Sequence, residues 1–198
     1  MKIITITGYK GGVGKSTTAV HLAAYFSQYG KTLLVDGDQN RTAMGWAERG
    51  SLPFTVADQR QAMKLVSTSD YVIIDTPARP NSDDLKELAK GCDLLILPTA
   101  PDVVSLQPML DTARDLDSAT YRALITIVPP HPNREGEIMQ ADLKDAGIPV
   151  FKGMIRRTIG FAKAALQGKA ICELKETTAQ AAWRDYKSVG DEIRRLLT

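Results

Sequence analysis

The sequence predicts an α/β protein: a mostly parallel twisted sheet of about seven or eight strands with helices on both faces. Three observations carry that expectation. Short apolar, β-branched runs alternate with longer stretches of helical periodicity, the rhythm of βαβ units. The 198 residues are 43% hydrophobic and 24% charged, the balance of an ordinary globular chain, and one domain over 1–198 is expected. A glycine-rich loop lies between the first apolar run and the first helical stretch.

Strands are expected at Lys2–Thr7, Thr32–Asp36, Tyr71–Asp75, Leu94–Pro98, Ala123–Val128 and Val150–Lys152, with a weaker one near Phe54. The first helix should run from Lys15 to about Tyr29, since Val20, Ala23, Ala24 and Ser27 keep one small or apolar face and Gly30 follows as a stop. Further helices are expected at Arg41–Glu48, Asp58–Val66, Ser82–Lys90, Leu106–Leu116, Glu137–Ala146, Ile159–Leu166 and Thr178–Leu197. The stretch Val128–Asn133 reads as a loop at a strand end, because consecutive prolines remove donors that a sheet needs.

Composition narrows the function classes. Apolar runs such as Leu94–Leu97 and Tyr71–Ile74 fall far short of the ~18–20 residues that span a bilayer. The N-terminus enters the glycine loop before any cleavage site could follow an apolar stretch, so a cytoplasmic location is expected. Cys92 and Cys172 stand apart, with neither C-x-x-C nor metal-binding spacing, and read as small buried hydrophobes. The net charge is +2, but residues 152–198 hold ten Lys/Arg against five Asp/Glu while residues 1–151 hold fifteen against eighteen. Positive charge is concentrated towards the C-terminus.

The loop reads Tyr9-Lys10-Gly11-Gly12-Val13-Gly14-Lys15-Ser16-Thr17. Glycines let the backbone of Gly11, Gly12, Val13 and Gly14 curve with N–H groups pointing inward, and the helix start adds its positive dipole end. That is an anion cradle of the P-loop kind. In it Lys15 would reach the β- and γ-phosphates, Ser16 would ligate Mg²⁺, and Thr17 would sit near the α-phosphate. Tyr9 stands where the strict motif has its first glycine.

Two more strand ends carry acids. Val35-Asp36-Gly37-Asp38-Gln39-Asn40 closes the second strand, and carboxylates at the carboxyl edge of a parallel sheet lie where such sheets bind ligands. The alternative for Asp38 is an N-cap of the following helix. Val72-Ile73-Ile74-Asp75-Thr76-Pro77-Ala78-Arg79-Pro80 is an apolar strand ending in an acid suited to Mg²⁺ or its water, against a plain strand-end acid capping a turn.

With Lys-Gly-Gly-x-Gly-Lys-Ser-Thr, Asp-x-Asp and Asp-Thr-Pro in this order, the sequence resembles the deviant Walker A ATPases, which include the ParA partition proteins, MinD and the nitrogenase iron protein. The resemblance implies that Lys10 crosses a dimer interface to the partner's nucleotide, where a cation stabilises charge developing in phosphoryl transfer. It implies that Asp38 positions the attacking water, that Asp36 acts in the Mg²⁺ shell through water, and that the Asp75 segment senses the γ-phosphate. The family's usual Asp-x-Asp-Pro-Gln is here Asp36-Gly37-Asp38-Gln39-Asn40. The adenine is expected near Pro129 and near Ile155 and Arg156, Arg156 replacing a proline. No Asn-Lys-x-Asp string is present to read guanine, so ATP is favoured over GTP.

Within the family, MinD-like members carry a glycine before the first lysine and a C-terminal membrane helix. Here the last helix has Ala182, Trp183, Tyr186, Val189, Ile193, Leu196 and Leu197 at three-to-four spacing, more often a core-facing stripe than a lipid-facing one. The cysteines also lack the pairing that a cluster-bearing member needs. What remains resembles the small ParF-like type, or the carboxysome-positioning McdA type. Such a protein would be a cytoplasmic, nucleoid-associated homodimer in its ATP state, binding nonspecific DNA and stimulated by a ParB-like or McdB-like adaptor. For the DNA the candidates are Lys152, Arg157, Lys163, Lys169, Arg184, Lys187, Arg194 and Arg195. The rival expectations are a membrane-recruited spatial regulator and a small-molecule P-loop kinase or ligase.

Overall fold

The computed structural model describes residues 1–8, 10–78, 82–114, 116 and 121–198. Tyr9, Arg79 and Pro80, named above, lie outside the described residues. Six strands form one sheet: β1 Lys2–Gly8, β2 Thr32–Asp36, β3 Thr55–Asp58, β4 Tyr71–Ala78, β5 Leu94–Thr99 and β6 Tyr121–Ile125. Their order is β3-β2-β4-β1-β5-β6, and every pairing is parallel. The helices are α1 Lys15–Phe26, α2 Thr42–Glu48, α3 Gln59–Leu65, α4 Ser82–Lys90, α5 Val103–Arg114, α6 Glu135–Asp145, α7 Gly160–Gln167 and α8 Thr177–Leu197.

A parallel sheet needs crossovers, and the crossovers cover both faces. Side chains alternate along each strand. Ile4, Ile6, Leu94 and Ile96 thus join a core built with α1, α2, α7 and α8, while Leu95, Leu97, Ala123 and Ile125 turn to the other face under α4, α5 and α6. Leu33, Val35 and Val72 meet Ala62 of α3 on that second face. The apolar stripe of α8 behaves as its spacing implies: Ala182, Trp183, Tyr186, Val189 and Ile193 are buried in the core. Among the described residues, no helix is long and apolar enough to cross a membrane.

The expectation of about seven or eight strands is corrected to six. Residues 150–152 run beside β6 but form only an isolated bridge between Ala123 and Val150, followed by a second between Val128 and Arg156. The ladder breaks after Phe151, whose N–H donates to the Ala123 carbonyl at 3.0 Å: the next bond to β6 comes from Ile155, to the Ile125 carbonyl at 2.9 Å, where alternation would need Gly153. The weak run near Phe54 is a true strand, beginning one residue later. The first helix stops at Phe26 rather than near Tyr29.

Candidate functional site

β1, β2 and β4 deliver three segments to the carboxyl edge of the sheet. After Gly8 the chain turns back through Gly12 and Gly14, whose φ of 81° and 82° lie in the left-handed region that favours glycine. A Cβ on Gly11 or Gly12 would meet nothing within 4 Å, so the loop opens onto free space. No side chain caps α1 and its first turn carries no acid, which leaves its N–H groups and dipole directed at that space. The Val13 carbonyl is turned the other way, accepting a bond from the Thr126 hydroxyl at 2.8 Å.

Asp36 and Asp75 are register partners across β2 and β4. Gly37 sits so close that an added Cβ would lie 2.9 Å from the Asp75 carbonyl, to which its own N–H donates at 2.8 Å. Only glycine allows that approach. The buried Asp36 carboxylate accepts the Asp38 N–H at 3.1 Å and the Met44 N–H at 2.8 Å, tying the loop to α2. Asp38 is half-buried and accepts both the backbone and side-chain amides of Asn40. It does not cap α2, whose N-cap position is Arg41.

Asp75 is different. Its side chain is 0% exposed and neither carboxylate oxygen has a hydrogen-bond partner. Burial pushes its pKa up to about 7; the Ser16 hydroxyl pulls it down while standing short of hydrogen-bond geometry, and Asp36 adds repulsion. A buried carboxylate costs stability unless a cation or donor meets it. Lys15 is buried beside it, its pKa lowered by burial and pulled back up by Asp75 and Asp38, and its ammonium donates to the Lys10 carbonyl at 3.3 Å. Among the described residues, no group of three or more His, Cys, Asp or Glu is disposed to hold a metal. The orphaned Asp75, with Ser16 and Asp36 beside it, fits instead a magnesium ion that shares its shell with phosphate oxygens and water.

Lys10 is placed at the same loop but engaged within its own chain, its ammonium 3.3 Å from the Asp102 carboxylate. Both side chains are about a third to a half exposed, so this ion pair by itself is worth about 0–1 kcal/mol. Beyond the loop, a hollow of about 270 Å³ is lined by Gly12, Gly14, Thr17, Thr126, Ile155 and Arg156. Ile155 and Arg156, named above for the adenine, line this hollow together with the glycine loop. Pro129 does not; it lines a neighbouring hollow of about 490 Å³ on the other side of Arg156.

Behind the loop the first turns of α1 are anchored. His21 is fully buried, and its Nε2 accepts the Ile171 N–H at 3.0 Å, so the proton resides on Nδ1 and is donated to the Thr17 carbonyl at 2.7 Å. Its ring stacks on Tyr186 and meets Trp46 edge-on. Trp46 belongs to α2, directly after the Asp38 loop, and its indole N–H donates to the Lys169 carbonyl at 2.9 Å.

The eight basic residues suggested for DNA are all exposed. Arg184, Lys187, Arg194 and Arg195 fall within about 100° of one another around α8. Lys163 pairs with Glu176 at 3.4 Å, and the Arg194 guanidinium lies 3.9 Å over the Tyr29 ring. Sequence reasoning missed Gly37, Asp102, Thr126 and the anchor His21. Only Gly37 had a local signal, a glycine held between two aspartates at a strand end.

The family model of the CobQ/CobB/MinD/ParA nucleotide binding domain matches residues 4–171. The chain is 35% identical to the maintenance of carboxysome distribution protein A of Gloeobacter kilaueensis, over 98% of this chain and 94% of that protein. Among solved structures it resembles apo McdA of Cyanothece, with a TM-score of 0.72 and 18% identity over 96% of this chain and 99% of the other. It also resembles the septum site-determining protein MinD of Pyrococcus horikoshii complexed with Mg-ADP, with a TM-score of 0.72 and 16% identity over 100% and 98%. At these identities the two structures speak for the fold alone.

Proposed function

The chain belongs to the CobQ/CobB/MinD/ParA nucleotide-binding family, and from that premise we propose that it is a positioning ATPase of the ParA type, acting as one domain whose ATP state is a homodimer. The observation that carries the nucleotide half is Asp75: a buried carboxylate without a partner, beside Ser16 and Lys15, under an open glycine loop. The near full-length likeness to a carboxysome-distribution protein supports a protein compartment as the cargo, with a plasmid as the other candidate.

Bound Mg-ATP would supply the phosphoryl group that passes to water. The Gly11 to Gly14 amides and the α1 terminus hold negative charge, and Lys15 neutralises more of it once it leaves the Lys10 carbonyl. Thr17 lies at the hollow that leads from the loop towards the base. Ser16 and Asp75 hold the cation side, with Asp36 behind them through water. Asp38, free of any capping duty on α2, orients the attacking water. Lys10 leaves Asp102 and reaches the nucleotide of a second copy, which is what makes pairing depend on nucleotide.

In its ATP form the dimer binds nucleoid DNA without sequence preference through the exposed lysines and arginines of the C-terminal third, and a ParB-like or McdB-like adaptor on the cargo stimulates slow hydrolysis and release. The apolar face of α8 is buried, which argues against recruitment to a membrane by that helix. The test is retention of random duplex DNA on filters with ATP, ADP or no nucleotide, together with size-exclusion of Asp38→Ala with ATP. ATP-dependent, salt-sensitive retention and a trapped dimer support the reading. No retention in any nucleotide state and a persistent monomer would sink it.

A further inference from the structure

The segment from Ile155 to Thr158 stands between the two hollows described above, and Arg156, Arg157 and Thr158 line both. Ile155 is packed in the core, but Arg156 and Arg157 after it are exposed and owe little of their position to packing. Backbone bonds hold it on one side: the Ile155 N–H donates to the Ile125 carbonyl at 2.9 Å, the Val128 N–H donates to the Ile155 carbonyl at 3.0 Å, and the Val128 carbonyl accepts the Arg157 N–H at 2.7 Å. At Arg156 the hold comes from another element altogether.

Asp185, two turns into α8, accepts three bonds from this one residue. Its Oδ2 takes the Arg156 N–H at 3.1 Å and Nε at 2.6 Å, and its Oδ1 takes a terminal guanidinium nitrogen at 2.7 Å. The carboxylate is only 14% exposed, against 48% for the arginine. A fork of this kind fixes orientation as well as distance, which a lysine or a neutral acceptor does not reproduce. The same helix carries Arg184 and Lys187 outward on either side of Asp185.

We propose that Asp185 is a positioning residue for the nucleotide base: by gripping Arg156 it fixes the wall between the two hollows, and so sets base affinity and the preference for adenine over guanine. The inference rests on the reading that the smaller hollow receives the base of ATP. It also makes α8, the bearer of the basic face, a structural part of the nucleotide site, because one side of that helix holds the wall while the other faces solvent.

The experiment is calorimetric titration of the full chain with ATP and with GTP, for the unaltered protein, Asp185→Asn, Arg156→Ala and the double variant, with thermal melting alongside. Each single change is expected to weaken ATP binding about tenfold and to narrow the ATP-over-GTP ratio, since misplacement of a binding wall by a fraction of an ångström is felt strongly. The double variant should be no weaker than either single one, as for two residues acting through one contact. Unchanged affinity and an unchanged ratio in both single variants overturn the proposal, whatever the melting temperature does. Should Asp185→Asn fail to fold, Arg156→Ala, which keeps the backbone bond to Asp185, decides alone. If the unaltered protein binds neither nucleotide, the reading of the site falls first and this inference with it.

Discussion

Two buried titratable side chains lie on opposite sides of the glycine loop, and they have been treated oppositely by the fold. His21, behind α1, has both ring nitrogens satisfied, three aromatic rings around it and a pKa driven by burial down to about 4. Asp75, in front, has neither oxygen satisfied and a pKa driven up to about 7. A buried polar group that is fully paired holds a scaffold together. One left unpaired in an otherwise well-bonded core marks the place where something else is meant to bind.

The comparison breaks if the two residues respond alike to removal. His21→Ala leaves a cavity and strands the Ile171 N–H, and should cost about 3–5 kcal/mol in chemical denaturation. A loss below about 1 kcal/mol would mean that the anchor is not structural. Lys15→Ala on the other side should leave folding cooperative while weakening nucleotide binding by about a hundredfold or more in calorimetry, because it removes the buried cation from the phosphate site. Asp75→Asn should do something rarer: raise the melting temperature of the nucleotide-free protein by about 5 °C near pH 8 while abolishing magnesium-dependent ATP turnover.

Proton linkage sharpens the contrast, with smaller effects. Asp75 titrates higher folded than unfolded, so the folded chain holds the extra proton between about pH 4 and 7 and stability falls as pH rises through that window. His21 titrates lower folded than unfolded, so the unfolded chain holds the extra proton between about pH 4 and 6.5 and stability falls as pH drops through that window. Melting curves from pH 4.5 to 8 should therefore lose their alkaline decline in Asp75→Asn and their acid decline in His21→Gln. Curves that keep both declines in both variants would remove the two residues as the cause.

The parts of the site that were legible in the sequence are those written contiguously. Lys10 to Thr17 follows β1, Asp36 to Asp38 closes β2 and Asp75 lies in the last half of β4, and since the carboxyl ends of parallel strands converge on one edge, their meeting could be foreseen without coordinates. What could not be foreseen depends on partners far along the chain: Asp102 for Lys10, Thr126 for Val13, Asp185 for Arg156. Nothing in local spacing couples them. The same holds for the fold. Alternation and periodicity gave the helices and most strands, while residues 150–152 fall short of a strand because the chain skips the Gly153 position and returns to β6 only at Ile155, a detour with no signature in the local pattern. The orphaned state of Asp75 is a property of packing and has no signature in composition.

Trp46 occupies an unusual post, for of the two indoles it alone rides on the helix that continues the Asp38 loop, with its ring against the anchor beneath the phosphate cradle. A tightening of that loop that shifts α2 is expected to change the quenching of this fluorophore by the His21 ring beside it. Under the proposed function Trp46 is thus an intrinsic optical gauge of nucleotide binding, readable in a stopped-flow cell without a dye and separable from Trp183 by a single Trp183→Phe exchange.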